Sequence, residues 1–263
     1  MGLTCRSCGK AVLQEKFNIR LKGEDELVIA LAGNPNVGKS TVFNALTGLN
    51  QHTGNWPGKT VANARGSFIY QKEKFVLVDL PGTYSLLANS VEEQIARDFI
   101  CFGKPDATIV VADATCLERN LNLVLQVMEL TEKVILCVNL MDEAKRKGIH
   151  VDISALEEEL GIPVVSTTAR TGAGLGELRD KVYQIALGIE KTSPRPIVYS
   201  QEVEEKIGKY EMELKELLED KINPRWVALR FIEGDQTIVD AIYDFLCEED
   251  ILTLGGGACC NGC

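Results

Sequence analysis

A glycine-rich segment near the start of the chain restricts its fold more than any other feature. Residues 33–40 read Gly-Asn-Pro-Asn-Val-Gly-Lys-Ser, which matches the pattern G-x-x-x-x-G-K-[ST]. The apolar residues 27–32 before it predict a strand, and a helical pattern follows it. A strand, a glycine-rich loop and a helix in this order are typical of a phosphate-binding loop, and this context disfavours an ordinary glycine-rich turn.

This segment supplies the first candidate contacts to a nucleotide. Gly33 and Gly38 let the backbone approach phosphates closely, because glycine has no Cβ. Lys39 would add positive charge at the β and γ phosphates, and the Ser40 hydroxyl would bind Mg²⁺. The candidate nucleotide-binding residues of the segment are Gly33, Asn34, Pro35, Asn36, Val37, Gly38, Lys39, Ser40 and Thr41.

A second motif ends another apolar run. Residues 79–82 read Asp-Leu-Pro-Gly and close the predicted strand 75–79. The Asp79 carboxylate would lie beside Mg²⁺, and the Gly82 N–H would lie beside a γ-phosphate. An Asp before Pro-Gly is also common in ordinary turns, so the motif gains its meaning from following a phosphate loop.

Two later motifs predict which base the site would accept. Residues 139–142 read Asn-Leu-Met-Asp, and Asp142 can accept hydrogen bonds from the N1–H and exocyclic amine of guanine, a donor pair that adenine lacks. Asn139 is the second candidate in this turn, which outside this context would be a common helix cap. Thr168, Ala169 and Arg170 follow a further predicted strand, where a backbone amide would contact guanine O6. A polar loop explains that last segment equally well.

The pattern of residues 26–188 alternates short apolar strands with amphipathic helices. This pattern predicts an α/β domain with a mostly parallel sheet covered on both faces. Six strands are predicted, at residues 27–32, 67–70, 75–79, 107–112, 134–139 and 163–167. No crossover helix precedes the second of them, so we expect it to pair antiparallel.

A second, helical domain is predicted after residues 192–196, Thr-Ser-Pro-Arg-Pro, because two closely spaced prolines cannot continue a helix. Its predicted helices are residues 201–220, 226–232 and 237–247. The residues expected on the apolar face of the first helix are Ile207, Met212, Leu214, Leu217 and Leu218. The predicted boundaries are an N-terminal segment 1–25, a GTPase domain 26–190, a linker 191–197, a helical regulatory domain 198–250 and a Gly/Cys-rich tail 251–263.

The net charge and the hydropathy of the chain argue against nucleic acid as its main partner and against a membrane-spanning helix. The net charge is −10, which disfavours nucleic acid as the main partner because phosphate backbones bind clustered Lys and Arg. No apolar run approaches the roughly 18 residues of a membrane-spanning helix, so we expect this chain by itself to be soluble. Residues 1–10 lack the apolar core of a signal peptide, which predicts a reducing compartment and a cytoplasmic location.

With these motifs in order, the chain resembles GTPases of Ras-like fold, and more narrowly the cytosolic part of the ferrous iron transport protein B family. The resemblance covers about residues 26–247. The segments that carry it are residues 33–40, 53–61, 79–86, 139–142, 223–226 and 233–235. It implies a Ras-like P-loop GTPase domain followed by a small helical domain, which that family is proposed to use to slow GDP release.

The resemblance also implies roles for single residues. Thr60 would be the switch threonine that reaches Mg²⁺ and the γ-phosphate, so that Lys39, Thr60 and Gly82 form the catalytic set. Asn36 would help to hold K⁺ beside the phosphates, which predicts faster hydrolysis in K⁺ than in Na⁺. Thr83 stands where many GTPases carry a water-orienting Gln, which predicts slow intrinsic turnover.

The implied function is a GTP-binding and GTP-hydrolysing switch that regulates or drives ferrous iron uptake. Its ligands would be GTP, GDP, Mg²⁺ and K⁺. Its partner would be a membrane-embedded iron permease domain or subunit, at the inner face of the cell membrane. No nucleic acid is expected, and a homo-oligomer is left open. Two other functions remain: a soluble GTPase of ribosome or RNA assembly, which would usually carry a basic appendage, and a metal- or redox-sensing adaptor.

The adaptor hypothesis depends on cysteines at the two ends of the chain. Cys5, Cys8, Cys260 and Cys263 form two C-x-x-C pairs that could bind Zn²⁺ or iron if the termini meet. A role for one end alone and exposed thiols are the alternatives. The cysteines predicted to be core residues are Cys101, Cys116, Cys137 and Cys247.

The two histidines and the two tryptophans are given structural roles rather than ligand roles. His52 and His150 are too few and too far apart in sequence for a metal site, and we expect them at the surface. Trp56 and Trp226 are expected to pack rather than to stack on a ligand.

Overall fold

The computed structural model describes residues 12–19, 21, 23, 25–48, 51–87, 89–218 and 221–255. The chain divides into two compact units, Met1–Ile197 and Val198–Cys263. The predicted metal-binding cysteines Cys5, Cys8, Cys260 and Cys263 and most of the predicted tail lie outside the described residues.

The first unit is built on one mixed sheet with the strand order β2-β3-β4-β1-β5-β6-β7. The strands are β1 Leu27–Gly33, β2 Gln51–Asn55, β3 Ala62–Tyr70, β4 Glu73–Asp79, β5 Ala107–Asp113, β6 Val134–Asn139 and β7 Val164–Ser166. β4, β1, β5, β6 and β7 pair parallel. β3 pairs antiparallel with both β2 and β4, which confirms the predicted antiparallel strand.

The prediction of six strands was wrong, because the described part of the sheet contains seven. The missed strand, β2, reads Gln-His-Thr-Gly-Asn and has no alternation of apolar and polar side chains. It lies at the edge of the sheet and pairs only with β3. An edge strand without a buried face leaves no periodic signal in the sequence, so backbone pairing with a longer neighbour decides its conformation.

Helices connect the parallel strands of this unit. They are α1 Lys39–Thr47, α2 Val91–Gly103, α3 Leu117–Leu130, α4 Met141–Arg146, α5 Ile153–Leu160 and α6 Leu175–Ala186, with a 3₁₀ turn at Ala114–Cys116. The Ser90 side chain accepts from the Glu93 N–H and begins α2, and the Asp152 side chain begins α5 in the same way. Gly48 and Gly161 end α1 and α5 in the left-handed conformation that glycine adopts at low cost.

The core of the unit lies where these helices cover the central strands. β1 is buried along its whole length, as expected for a parallel strand covered on both faces. Ile29, Leu31, Phe75, Leu77 and Ile109 are fully buried in one cluster. This rigid layer places the carboxyl ends of β1, β4 and β6 along one edge of the sheet, where the predicted motifs begin.

Residues 193–195 of the predicted linker are tied to the first unit by hydrogen bonds. The Ser193 N–H donates to the Gly161 carbonyl at 3.2 Å, and the Arg195 N–H donates to the Leu160 carbonyl at 2.9 Å. These bonds satisfy carbonyl groups at the end of α5. The segment has no helix or strand of its own, as the prolines predicted.

The second unit contains the helices α7 Gln201–Leu218, α8 Pro224–Glu233 and α9 Gln236–Gly255. Asn223 caps α8 by accepting from the Arg225 and Trp226 N–H groups, and Pro224 takes the first position of the helix. The predicted apolar face of α7 was partly wrong. Ile207, Leu214 and Leu218 are buried, but Met212 and Leu217 are exposed. Helical spacing predicted a wider apolar stripe than the neighbouring helices cover.

Candidate nucleotide-binding site

The predicted phosphate loop joins β1 to the first turn of α1. Gly38 precedes α1 in the left-handed conformation, with φ of 81°. A Cβ at this position would lie 2.5 Å from Nδ2 of Asn139, so only glycine lets the two segments approach. The first backbone N–H groups of a helix lack carbonyl partners within the preceding turn, and such groups bind phosphate. The backbone of the segment is therefore shaped for an anion.

Lys39 and Asp79 form an ion pair at this edge of the sheet. The Lys39 ammonium contacts the Asp79 carboxylate and donates to the Leu80 carbonyl at 2.6 Å. Both side chains are mostly buried, with 11% and 17% of their surface exposed. Burial raises the pKa of Asp79, and the charge of Lys39 opposes that rise. The pair thus places a cation and an anion beside the loop. A phosphate could replace Asp79 as the partner of Lys39, and a metal ion could replace Lys39 as the partner of Asp79.

The loop after β4 lies against the phosphate loop. The Thr83 N–H donates to the Gly33 carbonyl at 3.3 Å, and a Cβ on Gly82 would lie 3.4 Å from Cα of Pro35. Since β1 and β4 pair in register with Leu31 opposite Asp79, the two loops emerge side by side. The structure therefore brings the phosphate loop with Lys39 next to Asp79 and Gly82, which lie 40 and 43 positions after that lysine in the sequence.

Asn139 connects the predicted base-reading turn to the phosphate loop. Its Nδ2 donates to the Val37 carbonyl at 3.1 Å, and its Oδ1 accepts from the Ala169 N–H and the Thr167 hydroxyl, each at 3.1 Å. The side chain is buried. Sequence reasoning assigned Asn139 only to the base. No sequence signal revealed that one amide links three separate loops.

Asp142 lies in the first turn of α4 with its carboxylate partly exposed. It accepts from the Arg170 guanidinium at 3.2 Å, so the two predicted base contacts lie next to each other. The Ala169 N–H already donates to Asn139, and the Thr168 N–H donates to the Ala173 carbonyl at 3.1 Å. The contact of this loop with guanine O6 therefore stays a prediction.

Thr60 lies in an exposed turn between β2 and β3. The turn is closed by the Trp56 N–H donating to the Val61 carbonyl at 2.9 Å and by the Lys59 N–H donating to the Trp56 carbonyl at 3.0 Å. Thr60 is exposed, and so is the predicted surface residue His52 on the preceding strand. Trp56 is buried, in agreement with its predicted packing role.

The chemistry of the donors fits the predicted metal ions. The Ser40 hydroxyl in the first turn of α1 and the Asp79 carboxylate are hard oxygen ligands of the kind that Mg²⁺ selects. The exposed Asn36 supplies an amide oxygen on the outer side of the loop, suited to a monovalent cation. Within the described residues, no group of three or more His, Cys, Asp or Glu side chains could hold a metal ion.

The core cysteine prediction was wrong for one residue. Cys101 and Cys137 are buried, and burial raises the pKa of both thiols, that of Cys137 to about 12. Cys116 is exposed in the 3₁₀ turn. The side chain of Cys247 lies outside the described residues.

An open groove lies apart from these motifs. Its walls are residues 114–119 and several residues between 149 and 159. None of its lining residues belongs to the predicted nucleotide site. We therefore place the candidate nucleotide site at the motifs, on the chemistry of their residues, and not in this groove. The guanidinium of Arg119, one of the lining residues, lies 4.2 Å from the ring centroid of Tyr84.

Family models account for both units. Residues 27–182 match the model described as ferrous iron transport protein B, and residues 199–251 match the FeoB cytosolic helical domain. The chain belongs to the FeoB family. Its first unit is thus a Ras-like GTP-binding G domain, and its second matches the cytosolic helical domain of FeoB. Both predicted folds are confirmed, and so is the predicted family.

Among curated FeoB relatives, the Fe(2+) transporter FeoB of Methanocaldococcus jannaschii is 46% identical over 218 residues, covering 81% of this chain and 32% of the relative. The Fe(2+) transporter FeoB of Shigella flexneri is 38% identical over 217 residues, covering 80% and 27%. The chain thus spans less than a third of these relatives. No helix within the described residues is both long enough and apolar enough to cross a bilayer.

Solved FeoB structures resemble the chain closely. The apo cytosolic domain of the T. maritima FeoB iron transporter superposes with a TM-score of 0.74 at 42% identity, covering 86% of each chain. The FeoB G domain from Methanococcus jannaschii has a TM-score of 0.55 at 48% identity, covering 62% of this chain and 99% of that one. The match to the FeoB cytosolic part favours the iron-uptake hypothesis over ribosome assembly or an adaptor.

Proposed function

We propose that this chain binds and hydrolyses GTP at the inner face of a membrane and that this cycle regulates or drives Fe²⁺ uptake through a membrane transport domain or subunit. The observation that carries the proposal is the set of bonds made by Asn139, which tie the phosphate loop to the base-reading turn. One buried side chain thereby aligns a triphosphate site and a guanine site in a single G domain.

In the proposed site, the chain's own residues bind and orient the nucleotide. Lys39 leaves the Asp79 carboxylate to neutralise phosphate charge, and Asp142 leaves Arg170 to accept from guanine. Ser40, Asp79 and Thr60 would hold Mg²⁺, which neutralises charge on the β and γ phosphate oxygens, and Asn36 would bind K⁺ beside them. Gly82 presents its backbone to the γ-phosphate, so the loop after β4 senses that group.

Thr83 supports slow intrinsic hydrolysis. Its side chain is buried, and its hydroxyl accepts from the Ser85 N–H at 3.0 Å and donates to the Ser85 carbonyl. Because its single donor proton is used inside its own turn and its side chain is buried, we expect this hydroxyl not to orient an attacking water. The expected turnover therefore depends on bound cations and the backbone of residues 60 and 82.

The first test is nucleotide binding and phosphate release by the chain and its Lys39→Ala variant. Because charge-assisted hydrogen bonds contribute about 1.5–3 kcal/mol, we expect roughly 10- to 100-fold weaker GTP binding and loss of turnover. Lys145→Ala, which removes an exposed lysine outside the site, is the matched control and should bind normally. Equal binding by all three proteins would refute the assignment of the phosphate loop.

The K⁺ assignment needs a variant that does not disturb the backbone. Asn36 has φ of 67°, a conformation that glycine adopts freely and alanine does not. We expect phosphate release to be faster in K⁺ than in Na⁺, and Asn36→Gly to bring that ratio close to one. A ratio that Asn36→Gly leaves unchanged contradicts the role of this side chain.

The iron role is tested in cells that lack their own ferrous importer. Such cells receive the FeoB membrane half together with either this chain or its Lys39→Ala variant, and Fe²⁺ uptake is measured. Uptake only with Lys39 present would support nucleotide-driven or nucleotide-regulated import. Equal uptake with both chains, or none with either, would leave GTP binding intact and refute the proposed coupling to iron.

A further inference from the structure

The turn that carries Thr60 has one buried side chain among residues 56–60, that of Trp56. Residues 57–60 are exposed, whereas Trp56 at the start of the turn is only 2% exposed. The backbone N–H and carbonyl of Trp56 make the two hydrogen bonds that close the turn. The buried Trp56 indole therefore anchors the turn at the end that precedes Thr60.

Two phenylalanine rings hold this indole. The Trp56 ring centroid lies 6.2 Å from that of Phe17 and 5.7 Å from that of Phe99, and the two phenylalanine centroids are 5.1 Å apart. All three contacts are edge-to-face, the favourable arrangement for aromatic pairs. Phe99 belongs to α2, but Phe17 precedes residues 27–182, which match the G-domain model.

The segment that carries Phe17 is itself held firmly. Val12, Leu13, Phe17 and Ile19 are all buried. The Arg65 guanidinium on β3 donates to the carbonyl of Phe17 at 3.2 Å and to that of Asn18 at 2.5 Å. The Lys16 ammonium lies 4.6 Å from the ring centroid of Phe102 on α2. Residues 12–19 thus form a strap across α2 and β3 that ends on Trp56.

The ring cluster leaves one polar group unsatisfied. Among the described residues, Nε1 of Trp56 is buried without a hydrogen-bond partner. A buried donor that has lost its water hydrogen bond carries a cost, which a conformation exposing the indole would remove. Aromatic packing therefore stabilises the cluster of Phe17, Trp56 and Phe99, whereas the unpaired indole N–H destabilises it.

We propose that Phe17 is a positioning residue that acts through Trp56 to disfavour the conformation in which Thr60 contacts a bound triphosphate. The inference rests on the proposed role of Thr60 in the triphosphate state. Ordering Thr60 on a bound triphosphate then requires Trp56 to leave Phe17 and Phe99, whereas GDP makes no such demand. Since a ligand shifts an equilibrium only by its differential affinity for the two states, the cluster weakens GTP binding relative to GDP.

The test follows Trp56 by fluorescence in the full chain. The sequence has two tryptophans, Trp56 and Trp226. Trp226→Phe keeps an aromatic ring in the second unit and leaves Trp56 as the only source of tryptophan fluorescence. In this background we expect a non-hydrolysable GTP analogue to shift the tryptophan emission to longer wavelength, as the indole meets water. GDP should leave the emission unchanged. An emission that the analogue does not change on binding overturns the proposal.

Affinities measured on variants separate positioning from packing. Phe17→Leu keeps an apolar side chain and removes the ring, and should strengthen binding of the GTP analogue about 5-fold or more while leaving GDP affinity unchanged. Phe68→Leu is the matched control, because the Phe68 ring stacks on that of Phe75 in the same unit, and among the described residues it is not one of the rings in contact with Trp56. Equal changes for both nucleotides in Phe17→Leu show a packing role alone and refute the inference. Failure of the parent chain to bind the analogue refutes the proposed function instead, in the same titration.

Discussion

At the scale of single residues, the G domain depends on buried amides whose hydrogen bonds differ sharply. Asn139 makes three bonds to two other loops, whereas both polar atoms of the Asn34 side chain are buried without a partner among the described residues. The two side chains are therefore expected to respond in opposite ways to substitution, because the cost of a buried polar group depends on whether it is paired.

Asn139→Ala should reduce stability by about 2–4 kcal/mol and also weaken GTP binding, because it removes the bonds to three groups in two other loops. Urea unfolding and nucleotide titration measure the two effects. Asn120→Ala is the matched control, since Asn120 is equally buried but its bonds stay near the start of α3, as in the 2.7 Å bond to the Cys116 carbonyl. It should lose stability and keep nucleotide affinity. Comparable loss of affinity in both variants would contradict the linking role of Asn139.

Asn34→Leu should leave the stability of the nucleotide-free protein unchanged or raise it by up to about 1 kcal/mol. The substitution removes two unpaired polar atoms and keeps the branching of the side chain at Cγ. Asn120→Leu, which removes paired polar atoms, should instead destabilise. Denaturant unfolding of both variants without nucleotide decides the point, and a large loss in Asn34→Leu would show that its amide is satisfied.

At the scale of elements, charge pairing adds to the apolar packing between helices. In the second unit, the Arg225 guanidinium at the start of α8 holds both oxygens of Glu204 on α7, at 2.8 and 2.9 Å. These bonds, followed by one from the Tyr199 N–H, lower the pKa of Glu204 to about 2. The pKa of Glu204 in the folded protein thus lies below its ordinary value of about 4.5. The pair of Glu204 with Arg225 therefore stabilises the fold fully above pH 4.5, and this stabilisation disappears as the pH falls toward 2.

Glu204→Gln should therefore flatten the loss of stability between about pH 4.5 and pH 2. Trp226 on α8 reports unfolding of this unit in a Trp56→Phe background. Glu213→Gln, an exposed carboxylate on the same helix, should keep the steeper dependence of the parent. If both variants follow the parent curve, the pair with Arg225 does not contribute to acid stability.

At the scale of the whole molecule, the cysteines distinguish surface from core. Cys137 lies on the fully buried strand β6, with its sulfur 3.3 Å from the Thr167 hydroxyl, so reagents reach it only when the sheet opens. Cys116 is exposed without unfolding.

Alkylation of the native protein, read by peptide mass mapping, should label Cys116 and spare Cys101 and Cys137. The protection should be roughly 10³-fold or greater, as set by global stability, and should disappear in denaturant. The elevated pKa of Cys137, about 12, slows its reaction further at neutral pH. Rapid labelling of Cys137 in the native state would mean that β6 opens locally.

Much of this protein could be predicted because its signals are local. The apolar run of β1, the glycines of the phosphate loop and the Asp at the end of β4 each report on a neighbouring backbone requirement. The order of such segments was sufficient for the α/β fold, the helical second unit and the family. Spacing along the chain therefore determined which residues could meet a nucleotide.

Tertiary structure decided what depends on contacts between distant segments. β2 became a strand because β3 pairs with it, and Met212 remained exposed because none of the described helices covers its side of α7. The bridge from Asn139 to Val37 spans 102 positions, and the contact of Phe17 with Trp56 joins residues that no periodic pattern connects. Local sequence specifies backbone conformation. Which surfaces are buried and which polar groups form hydrogen bonds depends on contacts between distant segments, and these exist only in the folded chain.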